Sequence, residues 1–139
     1  MMFSKKKSPV KLTKLSSLVA SSMEVRGDVI FSDGLRIDGH VKGNVNPASD
    51  AMNLLVLSEV GSIHGNVCAY DAIINGTIVG DLEVLHFLEL QENARITGNI
   101  RYRQIRMNCG ASVDGKLSTL EDQADITNVV ELAANQAAK

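Results

Sequence analysis

The sequence predicts an all-β chain coiled as a parallel β-helix of about six windings with a triangular core, and three observations carry that expectation. First, one phrase recurs six times: Val25-Arg-Gly27-Asp-Val29, Val41-Lys-Gly43-Asn-Val45, Ile63-His-Gly65-Asn-Val67, Ile78-Val-Gly80-Asp-Leu82, Ile96-Thr-Gly98-Asn-Ile100 and Val113-Asp-Gly115-Lys-Leu117. Second, the residue two before each glycine is β-branched in every copy, and the residue two after it is aliphatic in every copy. Third, all 11 glycines lie between Gly27 and Gly115, which separates a punctuated body from two glycine-free flanks.

The first copy is the least regular. Val19 stands eight before its glycine, Met23 stands where later copies have Gly39, Gly61, Gly76, Ala94 and Ala111, and Ser17 and Ser21 fill slots read as Leu55 and Ile74 elsewhere. It reads as a partial turn or a cap. The second copy supplies Leu35, Val41 and Val45. The third, with Leu57, Ile63 and Val67, follows the polar insert Asn46–Asn53, which stretches the glycine spacing to 22 against 16, 15, 18 and 17 elsewhere and is expected to be a surface loop. The fourth contributes Ala72, Ile78 and Leu82, the fifth Leu90, Ile96 and Ile100, and the sixth Met107, Val113 and Leu117.

Period-two alternation within each copy marks short strands with one face inward, and no such strand buries that face alone. Coiling the chain so that copies stack at the ~4.8 Å strand separation aligns two core columns, Val41–Ile63–Ile78–Ile96 and Val45–Val67–Leu82–Ile100. About six residues per side then give three sides per winding. Gly27, Gly43, Gly65, Gly80, Gly98 and Gly115 read as corners, where a positive φ or a crowded interior excludes a side chain. The next column, Asp28, Asn44, Asn66, Asp81, Asn99 and Lys116, holds residues that tolerate left-handed corners and bond to neighbouring amides. Its order keeps the two acids apart in the stack.

Composition narrows the function. Hydrophobic residues make up 45% of the 139, but aromatics only 4% with no Trp, so aliphatic side chains fill the core and no stacking platform for nucleic acid is expected. A formal charge of −2 excludes a generally basic polyanion binder. Residues 1–22 read as a flexible basic segment, 23–117 as the β-helix domain, and 118–139 as an acidic tail, disordered or weakly helical. Cys68 and Cys109 lack metal-knuckle spacing and read as reduced, small core residues. No apolar run approaches the ~18 residues that span a bilayer, nor does the N-terminus resemble a secretory signal, so a cytoplasmic location is expected.

No catalytic, cofactor-binding or metal-binding residues emerge. His40, His64 and His86 sit at different offsets from their repeat glycines and read as exposed strand residues. Arg101 and Arg103 fall on one outer face with Tyr102 opposite, and with Arg106 form a basic cluster that reads as a solvated strand face, the alternative being a dock for a protein partner or acidic lipid. An alternative class, a coiled acyltransferase-like enzyme acting as a trimer, would need sites between subunits and discrete trimers.

Three stretches, Leu35-Arg-Ile-Asp-Gly39-His-Val-Lys-Gly43-Asn-Val45, Gly61-Ser-Ile-His-Gly65-Asn-Val67 and Ile74-Asn-Gly-Thr-Ile-Val-Gly80-Asp-Leu82, resemble the bactofilins, bacterial polymer-forming cytoskeletal proteins. The resemblance runs over residues 23–117. It implies a right-handed β-helix that assembles end to end, head to head and tail to tail, into non-polar filaments without nucleotide. It also implies a place on the inner face of the cytoplasmic membrane, with envelope or cell-wall enzymes as clients. Independently, open β-helix ends expose unpaired strand edges and apolar core, which stacking would cover. The candidate end residues are Val25, Val29, Phe31 and Leu35 at one end and Met107, Val113 and Leu117 at the other. The start, Met1-Met2-Phe3-Ser-Lys5-Lys6-Lys7, resembles the membrane-targeting leader of some bactofilins: apolar residues enter the lipid interface while lysines meet anionic headgroups.

Overall fold

The computed structural model describes residues 16–49 and 51–120. Among them are fifteen strands and no helix: β1 (Ser17–Val19), β2 (Glu24–Arg26), β3 (Val29–Phe31), β4 (Gly34–Ile37), β5 (His40–Lys42), β6 (Val45–Pro47), β7 (Leu54–Leu57), β8 (Ser62–His64), β9 (Val67–Ile74), β10 (Thr77–Val79), β11 (Leu82–Leu90), β12 (Arg95–Thr97), β13 (Ile100–Met107), β14 (Ser112–Asp114) and β15 (Leu117–Thr119). Every pairing is parallel, and the chain is a β-solenoid of about six turns with three faces. The first face stacks β2, β5, β8, β10, β12 and β14. The second stacks β3, β6, the first halves of β9, β11 and β13, and β15. The third stacks β1, β4, β7 and the second halves of the same three long strands.

Two inward rows form the body of the core. Val25, Val41, Ile63, Ile78, Ile96 and Val113 are consecutive partners along the first face, and Val29, Val45, Val67, Leu82, Ile100 and Leu117 along the second. The middle four members of each row are buried and the end members are not. At ~25 cal/mol per Å² of apolar surface removed from water, such repeated burial dominates the stability of a chain with few aromatic residues.

The third face departs from the fixed-offset reading. Counting eight back from each glycine groups Leu35 and Ala72 with Val19, Leu57, Leu90 and Met107, whereas Ile37 and Ile74 are the true partners of that row. Corner length explains the slip. Four-residue turns, closed by bonds such as Gly61 N–H to the Ser58 carbonyl and Ala94 N–H to the Gln91 carbonyl, join the third and first faces in some windings. Two-residue corners, Asp38–Gly39 and Asn75–Gly76, do so in others. Leu35 and Ala72 align instead with Ser17 and Leu55.

The solenoid begins at Ser17, inside the segment read as flexible, because Val19 buries its side chain beside Ile37. The insert is only partly a surface loop. Asn46 and Pro47 extend β6 against Ile30 and Phe31. Asn53 is buried, accepting the Tyr70 N–H at its side-chain oxygen (2.9 Å) and donating to the Ala51 carbonyl (3.0 Å). Neither cysteine lies in the core: Cys68 points outward between inward Val67 and Ala69, and Cys109 is exposed in the turn Asn108–Ala111.

The repeat glycines are required by contact as well as by φ. Gly80 has φ +145°, and a Cβ there would overlap the carbonyl of Gly65 in the winding below. Gly43, Gly65, Gly98 and Gly115 meet the same obstacle. Gly27 shares the conformation but has open space around it, because no winding precedes it among the described residues.

Candidate assembly interface

At the N-terminal end, β1, β2 and β3 each use one edge to pair with the second winding and leave the other edge unpaired among the described residues. Val25 and Val29 are half-buried there and pack onto the core from its open side. Phe31 and Leu35, assigned to this end by sequence, are buried within the subunit. Leu35 lies between Ser17 and Leu55 and so belongs to the second winding, and Phe31 is folded into the core beside Pro47. The rim also exposes Met23, Leu18 and Ile30, which strand alternation does not mark as core. Leu18 and Ile30 point away from the core and so escaped a search restricted to inward positions.

At the C-terminal end, the second half of β13, with β14 and β15, presents the last winding. Met107 and Leu117 are each 44% exposed, while Val113, Ile105 and Ala111 pack onto the core from outside. Ile105 stands in the row of Leu88, Ala72 and Leu55, which a fixed count from the glycines does not trace. Burying Met107 and Leu117 fully against a partner is worth about 1 kcal/mol each, since full burial of such a side chain gains ~1.5–3 kcal/mol.

A polar ladder runs up the corner that follows the repeat glycines. The backbone N–H of Asn44 donates to Asp28 Oδ1 (3.0 Å), that of Asn66 to Asn44 Oδ1 (2.9 Å), and that of Asp81 to Asn66 Oδ1 (3.1 Å). The N–H of Asn99 then donates to Asp81 Oδ1 (3.0 Å) and that of Lys116 to Asn99 Oδ1 (3.1 Å). None of these residues has positive φ; Asp33 alone among described non-glycine residues does. The column therefore favours Asn and Asp because their short side chains reach the next winding's amide, not because the corner is left-handed there.

Charges at the ends differ. Glu24 is held by Arg26 Nε (3.0 Å) and Lys42 Nζ (3.3 Å), first Arg26 and then Lys42 drawing its carboxyl below the usual range. On the outer side of β13, Arg101 faces Glu83 at 3.9 Å, while Arg103 and Arg106 are exposed with no ion pair among the described residues.

The histidines separate into two environments. His40 and His64 lie exposed on the first face, with His40 Nδ1 hydrogen-bonded to Ser62 Oγ (2.6 Å). His86, read as an exposed strand residue, is half-buried in a bulge. β11 carries one residue more than β9 and β13 between Val84 and Phe87, which turns His86 toward Asp71 (Nδ1 to Oδ1, 2.7 Å) and stacks its ring on Tyr70. Asp71 is buried between Leu54 and Phe87 and also accepts the Phe87 N–H (3.2 Å). Burial raises its carboxyl above the ordinary range, against the opposing pull of His86. Among the described residues no group of three or more His, Cys, Asp or Glu could hold a metal ion.

A sequence profile described as "Bactofilin: Polymer-forming cytoskeletal" matches residues 17–118, which is most of the chain and coincides with the solenoid. The chain belongs to the bactofilin family. It is similar to bactofilin BacP of Myxococcus xanthus (strain DK1622), 26% identical over 102 residues that make up 73% of this chain and 41% of BacP. It is likewise similar to bactofilin BacO of the same organism, 24% identical over 102 residues, 73% of this chain and 78% of BacO. The chain thus spans about two-fifths of the length of BacP. No solved structure matches. The family is described as polymer-forming and cytoskeletal, and the bactofilin solenoid leaves two incompletely buried apolar ends among its described residues. Among the described residues no helix is long and apolar enough to cross a membrane. The leader residues Met1, Met2, Phe3, Lys5, Lys6 and Lys7, and the tail beyond Leu120, lie outside the described residues.

Proposed function

We propose that the chain is the subunit of a cytoplasmic filament that grows by pairing like ends, N-terminal winding to N-terminal winding and C-terminal to C-terminal, without nucleotide. The observation that carries this reading is the pair of core sections left incompletely covered by the described residues, Val25 with Val29 at one end and Met107, Val113 and Leu117 at the other, each bordered by strand edges unpaired among the described residues. The polar ladder favours like-end pairing. A head-to-tail copy would continue it only if the last member offered an acceptor to the next Asp28 amide, and Lys116 offers none.

In this reading the leader Met1–Lys7 holds the filament at the inner face of the cytoplasmic membrane. Each basic residue near an anionic surface contributes ~1 kcal/mol, too little for one subunit alone but enough when a polymer displays many copies. The filament then scaffolds envelope or cell-wall enzymes that set cell shape. Negative-stain microscopy and sedimentation of the purified full chain without added nucleotide test the reading. Unbranched filaments with an open-ended size distribution are expected, and a discrete trimer or a monomer at every concentration would contradict it.

A further inference from the structure

On the third face the outward positions are apolar as well as the inward ones. β7 reads Leu54-Leu55-Val56-Leu57 and β9 ends Ala72-Ile73-Ile74, and unbroken runs of this kind belong to parallel strands covered on both sides. Val56 and Ile73 nevertheless keep part of their surface in solvent, packed sideways against Leu54 and Phe87. They are the centre of an outward row, Leu18, Arg36, Val56, Ile73, Glu89 and Arg106, with one member on each winding. The two charges that flank this centre keep spare bonding groups. Arg36 gives its Nε–H to Asp38 Oδ1 (2.9 Å), and Glu89 Oε2 accepts from Gln91 Nε2 (3.4 Å), which leaves the terminal nitrogens of Arg36 and Oε1 of Glu89 without a partner among the described residues.

We propose that this face pairs with the same face of a second copy, the two solenoids running in opposite directions. A two-fold axis along the strands, passing between the third and fourth windings, lays the row on its own reverse. Val56 of each copy then meets Ile73 of the other, Arg36 meets Glu89, and the stem of Arg106 lies over Leu18, which is 56% exposed. In the adjacent outward row Phe87 meets Gly34, which has no side chain to obstruct the ring, and Leu54 meets Asp71, whose carboxylate is engaged by His86. Copies running in the same direction would instead set Arg36 against Arg36 and Glu89 against Glu89. The other faces lack the match, since reversal sets His40 against Arg95 on the first and Asn46 against Arg101 on the second. Exposed ion pairs and half-buried aliphatic contacts hold two single subunits only weakly. A row of subunits repeats them at every step, so the pairing acts between filaments and rests on the end-to-end reading for its strength.

Electron microscopy of the full chain, with polymer yield measured by sedimentation on the same samples, tests the pairing. Paired filaments are expected from the parent. Arg36→Glu and Glu89→Arg should each give single filaments at undiminished yield, and Arg36→Glu/Glu89→Arg should restore the pairs. Within one subunit these residues stand three windings apart, ~14 Å, so the restoration cannot come from a contact inside the subunit. Val56→Lys, at an outward position, should also leave single filaments, and circular dichroism checks the fold of each variant. Pairs that persist in the single reversals, or that the double reversal does not restore, overturn the proposal. Single filaments from the parent overturn it while leaving end-to-end assembly intact, and a parent that yields no polymer refutes both.

Discussion

The side-chain oxygen of Asn99 accepts the backbone N–H of Lys116 at 3.1 Å, and the ladder of which this bond is the last member stops there, because an ammonium has no lone pair to pass on. The ladder is directional: every rung's side chain serves the amide of the rung above. It gives the solenoid two chemically different ends, an Asp28 amide with no side chain beneath it among the described residues and a Lys116 cation at the top.

Charge order in that ladder sets a pH test. Asn66 lies between Asn44 and Asp81, so Asn66→Asp keeps an acceptor but places two carboxylates on adjacent rungs. Like charges in that relation cost ~0.2–1 kcal/mol. Protonating a carboxyl of the pair removes that repulsion, so acid favours the fold of the variant. Thermal unfolding should show the variant least stable relative to the parent near neutral pH, with the gap closing as pH falls below about 4. A gap that widens on acidification would refute the stacking of these two rungs.

Gly80 and Gly27 share a conformation but not a neighbour, which separates two costs of adding a side chain. Gly27→Ala should lose ~1–3 kcal/mol from backbone strain alone. Gly80→Ala must in addition displace the Gly65 carbonyl and should lose clearly more. Denaturant titration of both variants measures the difference, and equal losses would contradict the close approach of successive windings.

Asp71 contributes a pH dependence of opposite origin to that of a surface ion pair. Its carboxyl is raised from the ordinary value of 3.8, first by burial, so the folded state holds the proton more tightly than the unfolded chain. Its stabilisation is full below 3.8 and is lost as pH rises through the elevated folded value. Asp71→Asn cannot titrate, so the stability of the parent relative to this variant should fall between acid and neutral pH. Measured by chemical denaturation, a relative stability that rises over that interval would contradict the burial of Asp71.

Deleting residues 1–7 removes Phe3 and three lysines while leaving β1 and all later strands in place. Flotation with vesicles containing anionic lipid should lose the deleted protein and retain the full chain, with filaments still visible in both. Undiminished flotation of the deleted protein would contradict the leader as the membrane contact.

Much of this was legible in the sequence because a parallel stack repeats its environment at every winding. The first two inward rows could be read from the residues flanking each glycine, since the strand–glycine–strand segment has constant length: three residues, two at the corner, then the next strand. The third face could not be read by the same rule. Its corner has two residues after Ile37 and Ile74 and four after Leu57 and Leu90, so a fixed count moves Leu35 and Ala72 into the wrong row and hides Ile105. The Asp71–His86 contact was hidden for a related reason. The extra residue that makes the spacing 18 rather than 17 is the bulge that turns His86 toward Asp71, and spacing alone does not say where an extra residue sits. The rim residues Leu18 and Ile30 face outward, where alternation expects polar side chains, and only their exposure in the fold distinguishes them.

The most direct measurement of like-end assembly is the size of subunits with one end blocked. Leu117→Asp alters the C-terminal winding and Val25→Asp the N-terminal one, both at incompletely buried positions, and circular dichroism verifies that each variant remains folded. In sedimentation velocity each single variant should stop at a dimer joined through its intact end, and the double variant should be monomeric. Monomers from either single variant would indicate head-to-tail growth, and filaments undiminished by both substitutions would place the polymer contact elsewhere on the solenoid.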